Sequence, residues 1–407
     1  MIKSLSKIMF VSLITATAVF AADPTAYVLN TNGETLSKIN LSSGEVVNDI
    51  LTIGSDALSY PNQIVVRDTT AYVIASGTNE IQVINLNTEE TSYYINTGAS
   101  SNPYWMDFVN DHYLYVTLLF QDSIARVDYL EGTITGKSYI GKSPEGILIN
   151  GDMAYIACTG FDWGTYGYDP GTVAVYDIEH NIVVDRIDVG LNPQYLAFDP
   201  YGRIHVVCTG DYFSTWGIVY IIDPGADTVV DSIYVGGSPG HISIGPDGVA
   251  YVAAAGWTKE GYVYSYDALT GEVFHDESNP IEVDLNCMTV CVFQDTTVFT
   301  GSFTDMVNVI DSSGVYLESY AVGDGPNFID FNYVPGDADG NFSINILDVT
   351  HIVNFLYRGG PYPVWPEWRA NVNGDESYNL LDIVHIINFL YKGGERPKVG
   401  AHWARLY

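Results

Sequence analysis

Residues 71–98 read AYVIASGTNEIQVINLNTEETSYYINTG. Ala71-Tyr72-Val73 opens a first strand, IQVINL at 81–86 alternates and closes on Asn85, and TSYYINTG carries a third strand to Gly98. Val, Ile, Tyr and Thr, with Gly and Asn at the junctions, are the composition of short strands joined by tight turns. Pro103 then opens a further run.

The same order recurs on both sides. First strands stand at Ala26-Tyr27-Val28, Leu114-Tyr115-Val116, Ala154-Tyr155-Ile156, Ile204-His205-Val206, Ala250-Tyr251-Val252 and Val298-Phe299. Second strands end in Asp or Asn in SKINL (37–41), IARVDY (124–129), VAVYDI (173–178), VYIID (219–223), VYSYD (263–267) and VNVID (307–311). A third strand follows each, loosest at Phe274–Val283, and a proline often leads into the next unit, at Pro61, Pro103, Pro144, Pro193, Pro239 and Pro326. Four short strands per 40–50 residues is the period of a propeller blade. Seven three-strand sets and seven Pro-led or Pro-like strands predict an all-β seven-bladed β-propeller over residues 24–334. The chain starts one strand late, so 326–334 is expected to complete the blade begun at 26–54 and remove the open sheet edge. The pattern resembles the YVTN-type propellers of bacterial exported proteins, archaeal surface-layer proteins and lactonase-like enzymes. That resemblance implies a fold rather than a function, since propellers host unrelated activities.

A second repeat lies beyond the first. Residues 337–348 read DADGNFSINILD and 371–382 read NVNGDESYNLLD, at an offset of 34; VTHIVNFLYRGG and IVHIINFLYKGG follow them. Oxygen ligands at loop positions 1, 3, 5, 7, 9 and 12 suit a hard cation. In the first copy these are Asp337, Asp339, Asn341, the Ser343 carbonyl, Asn345 and Asp348; in the second, Asn371, Asn373, Asp375, the Ser377 carbonyl, Asn379 and Asp382. Val349, Ile352, Val353 and Leu356, and Ile383, Ile386, Ile387 and Leu390, give each following helix one apolar face. The fold class is therefore a propeller with a small C-terminal α-helical domain of two EF-hand-like loop–helix repeats, at 336–396, and a tail at 397–407.

Two loops in register, each with Asn at 9 and Asp at 12, resemble a type I dockerin, the calcium-binding module that docks on cohesin domains. The sequence departs from that pattern at position 6, normally Gly, where Phe342 and Glu376 stand. A positive φ there costs about 1–2 kcal/mol. Three carboxylates in the first loop against two in the second predict one stronger calcium site and one weaker. The resemblance implies that loop positions 10 and 11 and the adjoining helix choose the partner: Ile346-Leu347 and Leu380-Leu381, with Asn354, Arg358, Asn388 and Lys392. Two placements are open for the apolar pairs: an exposed hydrophobic docking face, or packing within the module or against the propeller.

Residues 1–21 read as a secretion signal: Lys3 and Lys7, the apolar run Ile8–Ala18 and a small-residue cleavage site at Val19-Phe20-Ala21. No other run is long enough to span a membrane. The mature protein is expected to be secreted, extracellular or at the cell surface, with the periplasm as the other compartment. A net charge of −33 disfavours nucleic acid and anionic membranes. The four cysteines do not form a disulfide framework: Cys158 and Cys208 share a small core slot with Ala75 and Ala254, and Cys287 and Cys291 lie in one strand-like stretch. Buried free thiols are expected, with a Cys287–Cys291 bridge across a turn as the alternative.

Three consecutive blades carry long loops between their second and third strands: FDWGTYGYDP at 161–170, DYFSTW at 211–216 and WTKE at 257–260. Trp163, Tyr166, Tyr168, Tyr212, Phe213, Trp216 and Trp257 should gather on one sector of one face, either packed on each other or as a platform for a glycan or peptide. The blade-to-blade loops bring Tyr60, Asn62, Asn102, Tyr104, Trp105, Glu145, Gln194, Tyr195, His241 and Asn327 to the channel mouth on that face. His205 replaces Tyr or Phe in its repeat and reads as structural.

Three functions compete. A non-catalytic binding or scaffold protein would display the propeller and dock it, through the calcium module, on a cohesin-like or cell-surface partner. A self-assembling surface-layer or fibre subunit would contact neighbouring copies of itself, with the aromatics of PYPVWPEWR (361–369) and of the tail as contacts. A lactonase-like or glycan-active enzyme would recruit Glu145 and His241, though no catalytic motif demands it.

Overall fold

In a computed structural model the chain is described over residues 23–254, 261–294, 297–375 and 377–400. The leader at 1–21, Trp257, Glu376 and the tail from 401 on lie outside these residues. Seven antiparallel sheets form the ring. Each blade runs from an innermost strand at the channel to an outermost strand at the rim; in the second blade the order is Pro61–Arg67, Thr70–Ala75, Glu80–Asn85 and Glu90–Asn96.

The ring closes as its sequence period requires. Pro326–Phe331 pairs with Thr25–Asn30, with Ala26 opposite Phe331 and Val28 opposite Ile329. The last strand of the propeller is thus the innermost strand of the first blade. The loose third strand of the sixth blade breaks in two: Val273–His275 and Ile281–Glu282 both pair with Tyr262–Asp267.

Each sheet is buried on both sides, and the tyrosines of the repeated first strands enter this core: Tyr27, Tyr72, Tyr115, Tyr155 and Tyr251 are all buried. Tyr72 meets Phe108 and Tyr129 of the third blade edge-on, at 5.1 and 5.4 Å. Polar side chains staple blade to blade. Asp330 accepts from Val66 N at 2.7 Å, Asp107 from Ile149 N at 2.7 Å, and Gln63 exchanges two bonds with Met106. At the other end of the strands, Thr31, Thr117 and Thr209 donate to the carbonyls of Pro61, Glu145 and Pro239. His205, fully buried, bonds Tyr266 and Asp199, in keeping with a structural role. All four cysteines are buried and unbridged.

The upper face is the end at which the Pro-led inner strands begin; they end at the lower face. The chain leaves the lower face after Phe331 and forms two helices, α1 (Ile346–Arg358) and α2 (Leu380–Lys392). Val349, Ile352, Ile383 and Ile386 bury one stripe of each helix against Phe342, Ile344 and Val372. Both helices end at a left-handed glycine, Gly359 and Gly393, the residue that takes this cap without a Cβ clash. No helix among the described residues is long and apolar enough to cross a membrane.

This unit is fixed to the lower face. Phe342 stacks at 6.2 Å on Phe293 of the seventh blade, Tyr333 meets Trp368 at 6.2 Å, and Gln294 donates to the Gly340 carbonyl. Arg396 pairs with Asp68 at 2.7 Å and Lys398 with Asp111 at 3.4 Å. The linker aromatics expected as exposed contacts divide: Tyr362 is exposed, while Trp365 and Trp368 are partly buried and line the lower part of the channel.

Candidate functional site

The channel is not open from end to end. Trp105, from the third blade, reaches Tyr195, His241 and Phe328 at 5.3, 5.7 and 5.1 Å, and His241 lies 4.8 Å from Phe328. Four blades thus fill the axis with one aromatic layer. Below it, and above Trp365 and Trp368, lies a cavity of about 660 Å³ that Asp107, Asp199, Asp330 and Arg67 also line. Burial pushes Asp330 up to about 7. His241 Nδ1 donates to the Val290 carbonyl at 3.0 Å and lies 3.1 Å from Thr289 Oγ1, and burial lowers it to about 4. It is packed into the layer rather than presented at the mouth.

Above the layer lies the upper mouth. Glu145 is only 8% exposed; its Oε2 has no hydrogen-bond partner, and burial raises its carboxyl to about 8. Burial pushes the ionisation of Tyr104, Tyr168, Tyr195 and Tyr212 upward, and the charge of nearby Glu145 adds to it. Tyr104 lies beside Tyr195, and Gln194 donates to Tyr212 Oη at 3.3 Å.

The long loops stand over this mouth. Phe161–Asp162 and Gly167–Tyr168 pair as a small hairpin, and Lys142 ties its base with bonds to Asp162 at 2.8 Å and Asp169 at 2.7 Å. Trp163 donates to Ser143 Oγ at 3.0 Å and meets Phe161 and Phe120 edge-on, both at 4.8 Å. Asp211 organises the neighbouring loop by accepting from Phe213, Ser214 and Thr215. Trp163, Tyr166, Phe213 and Trp216 are exposed, Phe213 by 86%, whereas Tyr168 and Tyr212 are half-buried. Trp257 lies outside the described residues. The two open placements of these aromatics are therefore both realised in part: Trp163 packs on its neighbours and still shows 48% of its surface. Phe120, exposed beside it, escapes a reading of long loops alone because it sits on a three-residue turn, Leu119–Gln121.

At the lower side, the first loop draws Asp337, Asp339 and Asp348 together: one oxygen of each lies within 4.8 Å of the others. Asp348 Oδ2 accepts from Asn345 N at 2.8 Å while Asn345 Oδ1 accepts from Leu347 N, a capping box that fixes positions 9 and 12. Asn379 and Asp382 repeat it at 2.7 and 2.9 Å. Asn341 Oδ1 accepts from Ser343 N and Asp375 Oδ1 from Ser377 N, each holding position 5 toward position 7. Asn373 contacts Asp375 at 2.7 Å. Burial, with Asp339 and Asp337 nearby, raises Asp348 to about 7. In the second loop Asn371 is fully buried and its Oδ1 has no partner. Converging carboxylates in one loop and an orphaned buried carbonyl oxygen in the other fit a hard cation.

Two features were hidden in the sequence. Phe342 takes φ 60°, the left-handed conformation that a position-6 glycine would supply, and buries its ring at the propeller interface. Arg369, fully buried, places its guanidinium 3.0 Å from Asp337 Oδ2 and 4.4 Å from the Tyr333 ring. It offsets one of the three carboxylate charges of the first loop, so the advantage implied by counting acids narrows. The apolar pairs are settled as exposed: Ile346 41%, Leu347 57%, Leu380 55% and Leu381 58%. Arg358 and Lys392 are exposed too; Asn354 accepts weakly from Arg358, and Asn388 is half-buried.

No family model matches the sequence, nor does any curated protein. Among solved structures, the chain is similar to hydrazine synthase of Kuenenia stuttgartiensis, at 16% identity and a TM-score of 0.56 over 68% of this chain and 90% of that one. It is similar also to a functionally unknown protein from Desulfotomaculum acetoxidans, at 15% identity and 0.58 over 76% and 99%. The likeness is one of fold. At such identity no activity transfers.

Proposed function

We propose that this chain is a non-catalytic, exported binding or scaffold protein. Its upper face recognises a ligand, and its C-terminal calcium-loaded, dockerin-like module docks it on a cohesin-like or cell-surface partner. The observation that carries the reading is the division of labour in the module. One side is consumed by the propeller through Phe342, Trp368 and Arg396, yet Leu347 and Leu381, next to the two calcium loops, stay exposed. Apolar side chains held outward beside two cation loops are what a calcium-ordered docking face needs. The exposed ring set of Trp163, Tyr166, Phe213 and Trp216 supports recognition of a glycan or peptide at the opposite face.

The test is retention of the full chain on the parent cell surface with calcium and with chelator, for the native sequence and for Leu347→Asp with Leu381→Asp. Calcium-dependent retention that the double substitution abolishes supports the reading; retention indifferent to both contradicts it. The same exposed leucines favour the second reading, contact with neighbouring copies. Calcium-dependent growth in size of the purified chain would select that one.

A further inference from the structure

We propose that the recess at the upper mouth of the channel binds an ammonium group, held by the Glu145 carboxylate and by the tyrosine faces around it. Glu145 follows Pro144 at the start of the fourth blade's inner strand, where the ladder slips between Pro144 and Ile147. Such a bulge re-aims side chains. The backbone here is pressed on the next blade: a Cβ on Gly146 would stand 2.5 Å from the Gln194 carbonyl. The Glu145 carbonyl is already used by Thr117, but its carboxyl is enclosed and unpartnered. Buried polar groups in proteins are nearly always satisfied, and an exception needs an explanation.

The surrounding tyrosines do not provide one. None of their hydroxyls hydrogen-bonds Glu145 Oε2. Tyr104, Tyr168, Tyr195 and Tyr212 nevertheless keep part of their surface exposed. A cation is drawn to tyrosine faces. An ammonium also brings N–H donors and the compensating charge that an enclosed carboxyl needs in order to ionise. A neutral hydroxyl would supply a donor but leave the charge unpaired. The chain's net charge of −33 further favours arrival of cations.

The inference rests on the upper face being the recognition surface and names the chemistry of its deepest point. The test is calorimetric titration of the full chain with n-butylammonium, against n-butanol as the neutral control. Two arms separate the sources of the group: a lysine-containing peptide against its acetyl-lysine form, and glucosamine against N-acetylglucosamine. Binding of butylammonium but not butanol is expected, with Glu145→Gln weakening it about tenfold or more, the worth of a hydrogen bond to a charged group. Tyr212→Leu, in the loop above the mouth, should weaken it about two- to fivefold and keeps the test open should Glu145→Gln fold poorly. Equal binding of butylammonium and butanol, or full affinity in both variants, overturns the proposal. A chain that binds a neutral oligosaccharide but no ammonium overturns it while the recognition surface stands. A chain that binds neither removes both.

Discussion

The two faces of this propeller are built from the same repeat and meet opposite fates. At the lower face the aromatics are covered: Phe293 stacks on Phe342 and Tyr333, Tyr333 meets Trp368 edge-on, and Arg369 bridges the ring to the Asp337–Asp348 loop. At the upper face Trp163, Tyr166, Phe213 and Trp216 are left exposed, and the buried Glu145 carboxyl has an unpartnered Oε2. The difference therefore points to the lower face as architecture and the upper face as the place where something else binds.

The comparison breaks most easily at Arg369. Replacing it by Met leaves Asp337 buried without its cation, and the calcium-free protein should lose about 3–5 kcal/mol of module stability. A few millimolar calcium should recover most of that loss, because the metal supplies the missing charge. Chemical denaturation with and without calcium reads both effects; a loss indifferent to calcium would show Asp337 to be no ligand. Phe342→Ala comes next. It should cost about 3 kcal/mol as the ring leaves its slot against Phe293, and should free the module from the lower face, seen as faster hydrogen exchange across 336–375.

The upper face is probed through its proton. Burial raises Glu145 from about 4.5 to about 8, so the folded chain binds that proton more tightly than the unfolded one. Its contribution is complete below pH 4.5 and is lost as pH climbs through 8. The stability difference between the native chain and Glu145→Gln should fall across this window by at most ~1.4 kcal/mol per pH unit. A flat difference would mean that the carboxyl is not buried. The smallest effect is expected at Phe213, whose exposed ring touches little: Phe213→Ala should change stability by less than about 0.5 kcal/mol while weakening any ligand of the upper face. A large loss of stability there would mean that the loop is structural.

Most of the ring is legible in the chain because strand alternation, turn residues and the Pro-led period are local signals. Even the closing strand follows from counting, since one inner strand is missing at the start and one is spare at the end. The candidate sites are legible as loops but not as environments. Asp337 and Asp348 announce themselves by spacing, whereas Arg369 arrives from 32 residues away, and no spacing rule connects it to Asp337. Phe342 reads as a departure from a glycine rule until Phe293 stands behind it. The mouth read from the blade-to-blade loops brought Trp105, Tyr195 and His241 together but did not foretell Phe328 or a layer across the axis. That depends on ring curvature, which no single blade encodes.

Calcium titration of the full chain tests the central reading most directly. Two sites are expected, in the range of extracellular modules, about 10⁻⁴–10⁻³ M or tighter, with Asp348→Asn and Asp382→Asn each removing one and the melting temperature rising with calcium in the native chain. No heat, no shift in melting and no change in either variant at millimolar calcium would contradict it.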